Sequence, residues 1–244
     1  MLVVGTSSVM LSPSSKEYFK NGIVSGVKGA IVPEYYVLES GIAAVGDMFG
    51  WFVDHMVSEE YAEKAKAEGK NLHVYLTEKA SELKPGESGV VALDWWNGNK
   101  TPYVDGRLSG VLVGCTLNTK SEEIYRALIE ATAFGTRKIV EMYKEANPDI
   151  RMIIASGGIA EKNPLFMQIY ADVLNCEIRL SATDQTAALG SAIYAAVAAG
   201  KANGGYDSVE EAVKNMSHLK EKKYTPIPEN VKMYNEFSIR IKHR

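Results

Sequence analysis

Residues 151–172 constrain this chain more than any other stretch. An apolar run there stops at two glycines, Gly157 and Gly158, and a helix start follows at Asn163-Pro164. Asn is a favoured N-cap and Pro a favoured first helical residue. Strand, turn and helix are therefore each signalled by their own residues. The alternation then repeats, with a strand over 177–180 and a helix over 186–199. A β-α-β-α run implies a parallel layer, because parallel neighbours need a long crossover and a helix is the usual one. A chain with this centre is an α/β protein.

The glycine pair admits two readings. It is a tight strand-to-helix turn, or it is a pocket floor where a flat ligand lies against bare backbone. Glycine serves both, since it has no Cβ and accepts positive φ. Asn163 is an N-cap in either case, and an N-cap on a pocket rim can also face a base. The unpaired amides of a helix start are partly positive and favour an anion.

The flanks are consistent with one mixed domain. Residues 2–11 form an apolar run broken by Gly5-Thr6-Ser7-Ser8, and Ser12-Pro13-Ser14-Ser15 carries a turn signal. Segments 23–32 and 34–39 read as further strands. From 41 to 57 the pattern becomes helical, with Ala44, Met48, Trp51, Phe52, His55 and Met56 near one face. Helices are expected over 59–69 and 71–83, and a short strand over 89–93. Trp95-Trp96 then anchors a polar loop. Thr119 and Glu122 have capping-box spacing ahead of the longest helix, whose stripe is Ile124, Leu128, Ala131, Gly135, Ile139 and Met142. Ser208 and Glu211 cap a later helix. Residues 219–244 are Lys-rich and then amphipathic, and read as a C-terminal helical tail.

Composition narrows the function classes. Lys plus Arg is 27 and Asp plus Glu 30, a net charge of −3. A nucleic-acid binder usually carries a basic excess, so none is expected as partner. Cys115 and Cys176 are isolated and fit a reducing, cytoplasmic setting without a disulfide framework. The most apolar run, 186–200, is shorter than the roughly 20 residues that span a bilayer, so no membrane partner is expected. His55, His73, His218 and His243 have no metal-ligand spacing.

Other candidates each have a plain alternative. Gly5-Thr6-Ser7 is a β-turn or a phosphate-facing loop. Glu39, where the β region hands over to a helix, either accepts from sugar hydroxyls or favours the helix start. Asp47 reads as structural. The small-residue face of residues 187–192 reads as a helix contact, not a ligand site.

Taken together, these segments resemble the C-terminal half of the FGGY family of carbohydrate kinases. The marks are Val4-Gly5-Thr6-Ser7, Val32-Pro33, Leu38-Glu39-Ser40-Gly41, Ala44-Val45-Gly46-Asp47 and Leu93-Asp94-Trp95-Trp96-Asn97-Gly98-Asn99. Leu117-Asn118-Thr119, the segment from Glu130 to Arg137, Gly157-Gly158 with Asn163, and Ala188-Leu189-Gly190 complete them. The resemblance covers residues 2–216. Its Leu-Glu-Ser-Gly and Trp-Trp-Asn-Gly-Asn segments point to the branch acting on L-ribulose. The resemblance implies a ribonuclease-H-like, actin-like ATPase lobe: a mixed sheet flanked by helices, forming one domain over 1–244. It implies ATP and Mg2+ as cofactors, with Gly5 and Thr6 near the phosphates and Gly157, Gly158 and Asn163 at the adenosine. Gly110 and Gly114 would line the same cleft, and Glu39 would contact L-ribulose or a similar pentulose. The family's catalytic aspartate lies upstream of the Gly-Thr-Ser segment. The chain is therefore expected to be a fragment whose partner is the N-terminal lobe of the same enzyme, inactive alone. The sequence leaves room for a homodimer, for another family member's lobe such as that of a xylulose kinase, and for a non-catalytic nucleotide-binding module.

Overall fold

The computed structural model describes residues 1–242; His243 lies outside them. Strands β1 (Leu2–Val4), β2 (Ser8–Ser14), β3 (Val24–Lys28) and β4 (Tyr36–Ile42) come first. Helices α1 (Gly46–His55), α2 (Glu59–Ala67) and α3 (Leu72–Ser81) follow, then a ribbon of β5 (Val91–Leu93) and β6 (Val111–Val113). The long helix α4 (Ser121–Ala146) leads into β7 (Met152–Ser156), α5 (Gly158–Lys162), α6 (Pro164–Leu174), β8 (Glu177–Ser181) and α7 (Thr186–Ala199). The chain ends with α8 (Val209–Met216), β9 (Leu219–Tyr224) and α9 (Pro228–Lys242).

Seven strands make one sheet in the order β3-β4-β2-β1-β7-β8-β9. The β1–β7 and β7–β8 pairs are parallel, and the remaining pairs antiparallel. The expected mixed sheet flanked by helices is therefore present. Alternation sets its buried face. Met10 pairs with Leu2, Leu2 with Ala155 and Ala155 with Leu180, so one row of buried side chains crosses four strands. Helices α4 and α6 pack together and cover this face. Each large aliphatic side chain buried there contributes roughly 1.5–3 kcal/mol. The Tyr143 hydroxyl ties α4 to the sheet by donating to Met10 O at 2.8 Å.

Several details differ from the sequence reading. β2 runs through Pro13 to Ser14, where a turn was expected; beyond Leu11 it has β4 on one side only, so the missing N–H costs no bond on the open side. The start of α4 is one residue later than expected: the Glu123 carboxylate accepts from Lys120 N–H at 2.6 Å, while Thr119 Oγ1 accepts from Thr116 N–H. In α1 the buried residues are Met48, Phe49 and Phe52, whereas Trp51 is 38% exposed and lies against Trp96. The tail is not helical throughout, because Leu219–Tyr224 is a strand paired with β8. Its helix α9 is held by Asp172, which accepts from Ile227 N–H and Asn230 Nδ2, both at 2.8 Å.

Candidate nucleotide site

A cavity of about 690 Å³ opens where β1, α1, α3, α5 and the start of α6 converge. That volume lies within the usual small-molecule range of roughly 300–1,000 Å³. Its floor is the turn after β1. Val45 N–H donates to Thr6 O at 2.8 Å and Gly46 N–H to Gly5 O at 3.0 Å. These bonds clamp the turn to the start of α1 and occupy the first amides of that helix. The approach is close enough that a Cβ on Gly46 would lie 2.7 Å from Gly5 O.

The two neighbouring glycines do different work. Gly157 has φ +103°, and a Cβ there would meet Val4 O at 2.2 Å. It is required by the seating of β7 against β1. A Cβ on Gly158 meets nothing within 4 Å, and the residue lines the cavity. Gly5 is similarly open. Side chains at Gly5 or Gly158 would occupy ligand space without disturbing protein contacts.

Asn163 is the N-cap of α6, its Oδ1 accepting from Phe166 N–H at 2.9 Å. Its Nδ2 donates to Thr77 Oγ1 at 3.1 Å, which staples α6 to α3. One amide N–H is then left for a ligand. The walls are Phe49, Val74, Tyr125, Ile159, Pro164 and Phe166, with polar groups from Asn71, His73, Thr77 and Lys162. Apolar walls with a few placed polar groups suit a heterocyclic base. His73 Nδ1 lies 3.4 Å from the Tyr125 hydroxyl, and burial lowers its pKa, which favours the neutral ring.

The structure thus brings together Gly5, Thr6, Gly158 and Asn163, with Gly157 directly beneath. It does not bring Gly110 or Gly114 to the cavity. Gly110 is packed on Trp96, whose ring a Cβ would strike at 2.1 Å, and Gly114 has φ +90° with Gly89 O at 2.5 Å from the same construction. Both serve the β5–β6 ribbon. Glu39 stands apart on β4, half-exposed, 3.8 Å from Lys100 Nζ. Sequence reasoning missed Gly46, His73 and Thr77 as lining residues and read Asp47, which also lines the cavity, as structural.

Comparison with known proteins identifies the family. The model of the FGGY family of carbohydrate kinases, C-terminal domain, matches residues 1–199. A ribulokinase from Bacillus licheniformis is 49% identical over 236 residues, covering 97% of this chain and 43% of that protein. The structure of a xylulose kinase from Rhodospirillum rubrum superposes with a TM-score of 0.79 at 25% identity, covering 99% of this chain and 46% of the other. A Plasmodium falciparum glycerol kinase with ADP gives a TM-score of 0.76 at 19% identity, over 99% and 46% of the two chains. The chain spans under half the length of these proteins, and it belongs to the FGGY family of carbohydrate kinases, whose C-terminal domain it carries.

Proposed function

We propose that this chain is the nucleotide-binding lobe of an ATP-dependent kinase that phosphorylates L-ribulose or a similar pentulose at its 5-hydroxyl. The observation that carries the reading is the single cavity that joins an open glycine floor to an apolar slot. The slot between α3 and α6 would take the adenine, with Asn163 keeping its width. The Thr6 hydroxyl and the turn around Gly5 would receive the phosphates, and the absence of a Cβ at Gly158 leaves room for the adenosine. ADP in the glycerol kinase relative supports adenine nucleotide as the ligand class. When bound, MgATP supplies the phosphoryl group and charge neutralisation. Glu39, outside this cavity, would accept a hydroxyl of the ketose. The catalytic base is assigned to a second lobe, so the 244 residues alone should not turn over.

The test is amide-shift mapping of the chain with ADP. Shifts should cluster at Gly5, Thr6, Gly46 and Gly158, with a Kd on the order of 0.1 mM or weaker for half a cleft. Gly158→Val should abolish them while leaving the remaining spectrum intact. Shifts elsewhere, or none at millimolar nucleotide, would refute the site. In the assembled enzyme, Glu39→Ala should lower kcat/KM for the ketose roughly 10- to 150-fold, the worth of one charge-assisted hydrogen bond. An unchanged value would leave Glu39 only as the ion-pair partner of Lys100 on β4.

A further inference from the structure

The acidic groups lining the cavity are not equivalent. Glu78 is already neutralised, its carboxylate 2.5 Å from Lys70 Nζ. Asp47 is the other carboxylate of the lining, and among the described residues its side chain has no ion-pair or hydrogen-bond partner. It is also exposed. Its backbone is bound to the floor, with Asp47 N–H donating to Thr6 O at 3.4 Å next to the Gly46–Gly5 bond. A polyphosphate received by the Gly5–Thr6 turn would thus lie beside the Asp47 carboxylate, the lysine of the lining, Lys162, being carried by α5 and not by α1. That arrangement penalises a bare polyphosphate. A divalent cation between the two removes the penalty.

We propose that Asp47 is the residue through which this lobe distinguishes metal-bound from metal-free nucleotide, holding the cation, directly or through its waters, against the phosphates. The inference rests on the nucleotide reading of the same cavity. The donor set fits Mg2+, which keeps several waters and is commonly bound by one or two carboxylates plus substrate phosphates. No group of three His, Cys, Asp or Glu able to hold a metal occurs among the described residues. The cation would therefore arrive with the nucleotide. The competing role for Asp47 is a charge that favours the start of α1, whose first turn it occupies.

Calorimetric titration of the 244-residue chain with ADP, in excess Mg2+ or in EDTA, separates these roles. The wild-type chain should bind several-fold tighter with Mg2+. Asp47→Asn should bind metal-free ADP about fivefold tighter than wild type, the effect of one unit charge roughly 4 Å away in water. Its advantage from Mg2+ should largely vanish. Substituting Mn2+ should broaden the amide signals of residues 46–48 in the presence of ADP, and Asp47→Asn should weaken that broadening. The same Mg2+ advantage in both proteins, or an equal loss of affinity under both conditions, would overturn the assignment and leave the nucleotide site standing. No ADP binding by either protein would remove the site itself and this inference with it.

Discussion

Helices α6 and α7 each follow a parallel strand of one β-α-β-α run, yet they meet opposite fates. Helix α6 buries Phe166, Met167, Ile169, Tyr170, Ala171, Asp172, Val173 and Leu174 between α4, α9 and the sheet. Helix α7 has almost no polar residue and still buries only Ile193. It is held by Thr186 Oγ1, 3.2 Å from Ser156 Oγ, by the Tyr194 hydroxyl, which donates to Ile31 O in the β3–β4 loop, and by packing on α8. Along the helix Ala187, Ala188, Ala192, Ala195 and Ala198 are exposed. Apolar composition alone therefore does not predict burial. What separates the two is side-chain size: α6 carries mostly large residues that need a core, whereas half of α7 is alanine, whose methyl group tolerates water.

The largest effect should come from thinning α6. Met167→Ala removes a side chain with no exposure and should cost about 2–5 kcal/mol in chemical denaturation. A cost below about 1 kcal/mol would mean that α6 is not part of the load the sheet depends on.

A smaller, pH-dependent effect should come from Asp94, at the end of β5 where the ribbon meets α4. Its carboxyl is pressed against Gly135, and burial pushes its pKa up to about 7. The folded state therefore holds this proton more tightly than the unfolded chain does. The contribution is fully present below about pH 4 and is lost as pH rises through 7. Asp94→Asn should flatten this dependence, so that between about pH 4 and 7 the wild-type Tm falls relative to the variant's. Parallel Tm curves would show that the carboxyl is ionised in the fold throughout.

The smallest effect should come from α7. Ala192→Ser, on its exposed face, should change stability within about 0.5 kcal/mol. A loss comparable to that of Met167→Ala would show that α7 is covered in solution and would dissolve the contrast between the two helices.

The parts of the molecule that were legible in the sequence are those whose signals are local. The sequence 151–199 carries a period change at each element and a cap at Asn163, and its four elements lie where expected, with α5 inserted between Gly157 and Asn163. Strand β6 was not read because Val111-Leu112-Val113 is too short to show alternation. The cavity was half legible. Gly5, Thr6, Gly158 and Asn163 sit in recognisable turns. His73 and Thr77 share a helix face with four-residue spacing, but only the tertiary packing of α3 beside α6 gives that face a ligand to meet. Gly110 and Gly114 are expected at the cleft only from the resemblance, and nothing in the sequence shows that Gly110 meets Trp96 and Gly114 meets Gly89 O. Close approach is a property of the neighbour, not of the glycine.

The strand β9 has a consequence outside binding. It closes one end of the sheet, and its outer backbone is a row of donors and acceptors that another strand could join. Lys222 and Lys223 are exposed there, Lys223 paired to Glu177 and Lys222 over the Tyr224 ring, and the register with β8 slips between Arg179 and Ser181. Charge and irregular pairing both oppose edge-to-edge growth. The lysine-rich run thus opposes edge-to-edge aggregation of the sheet.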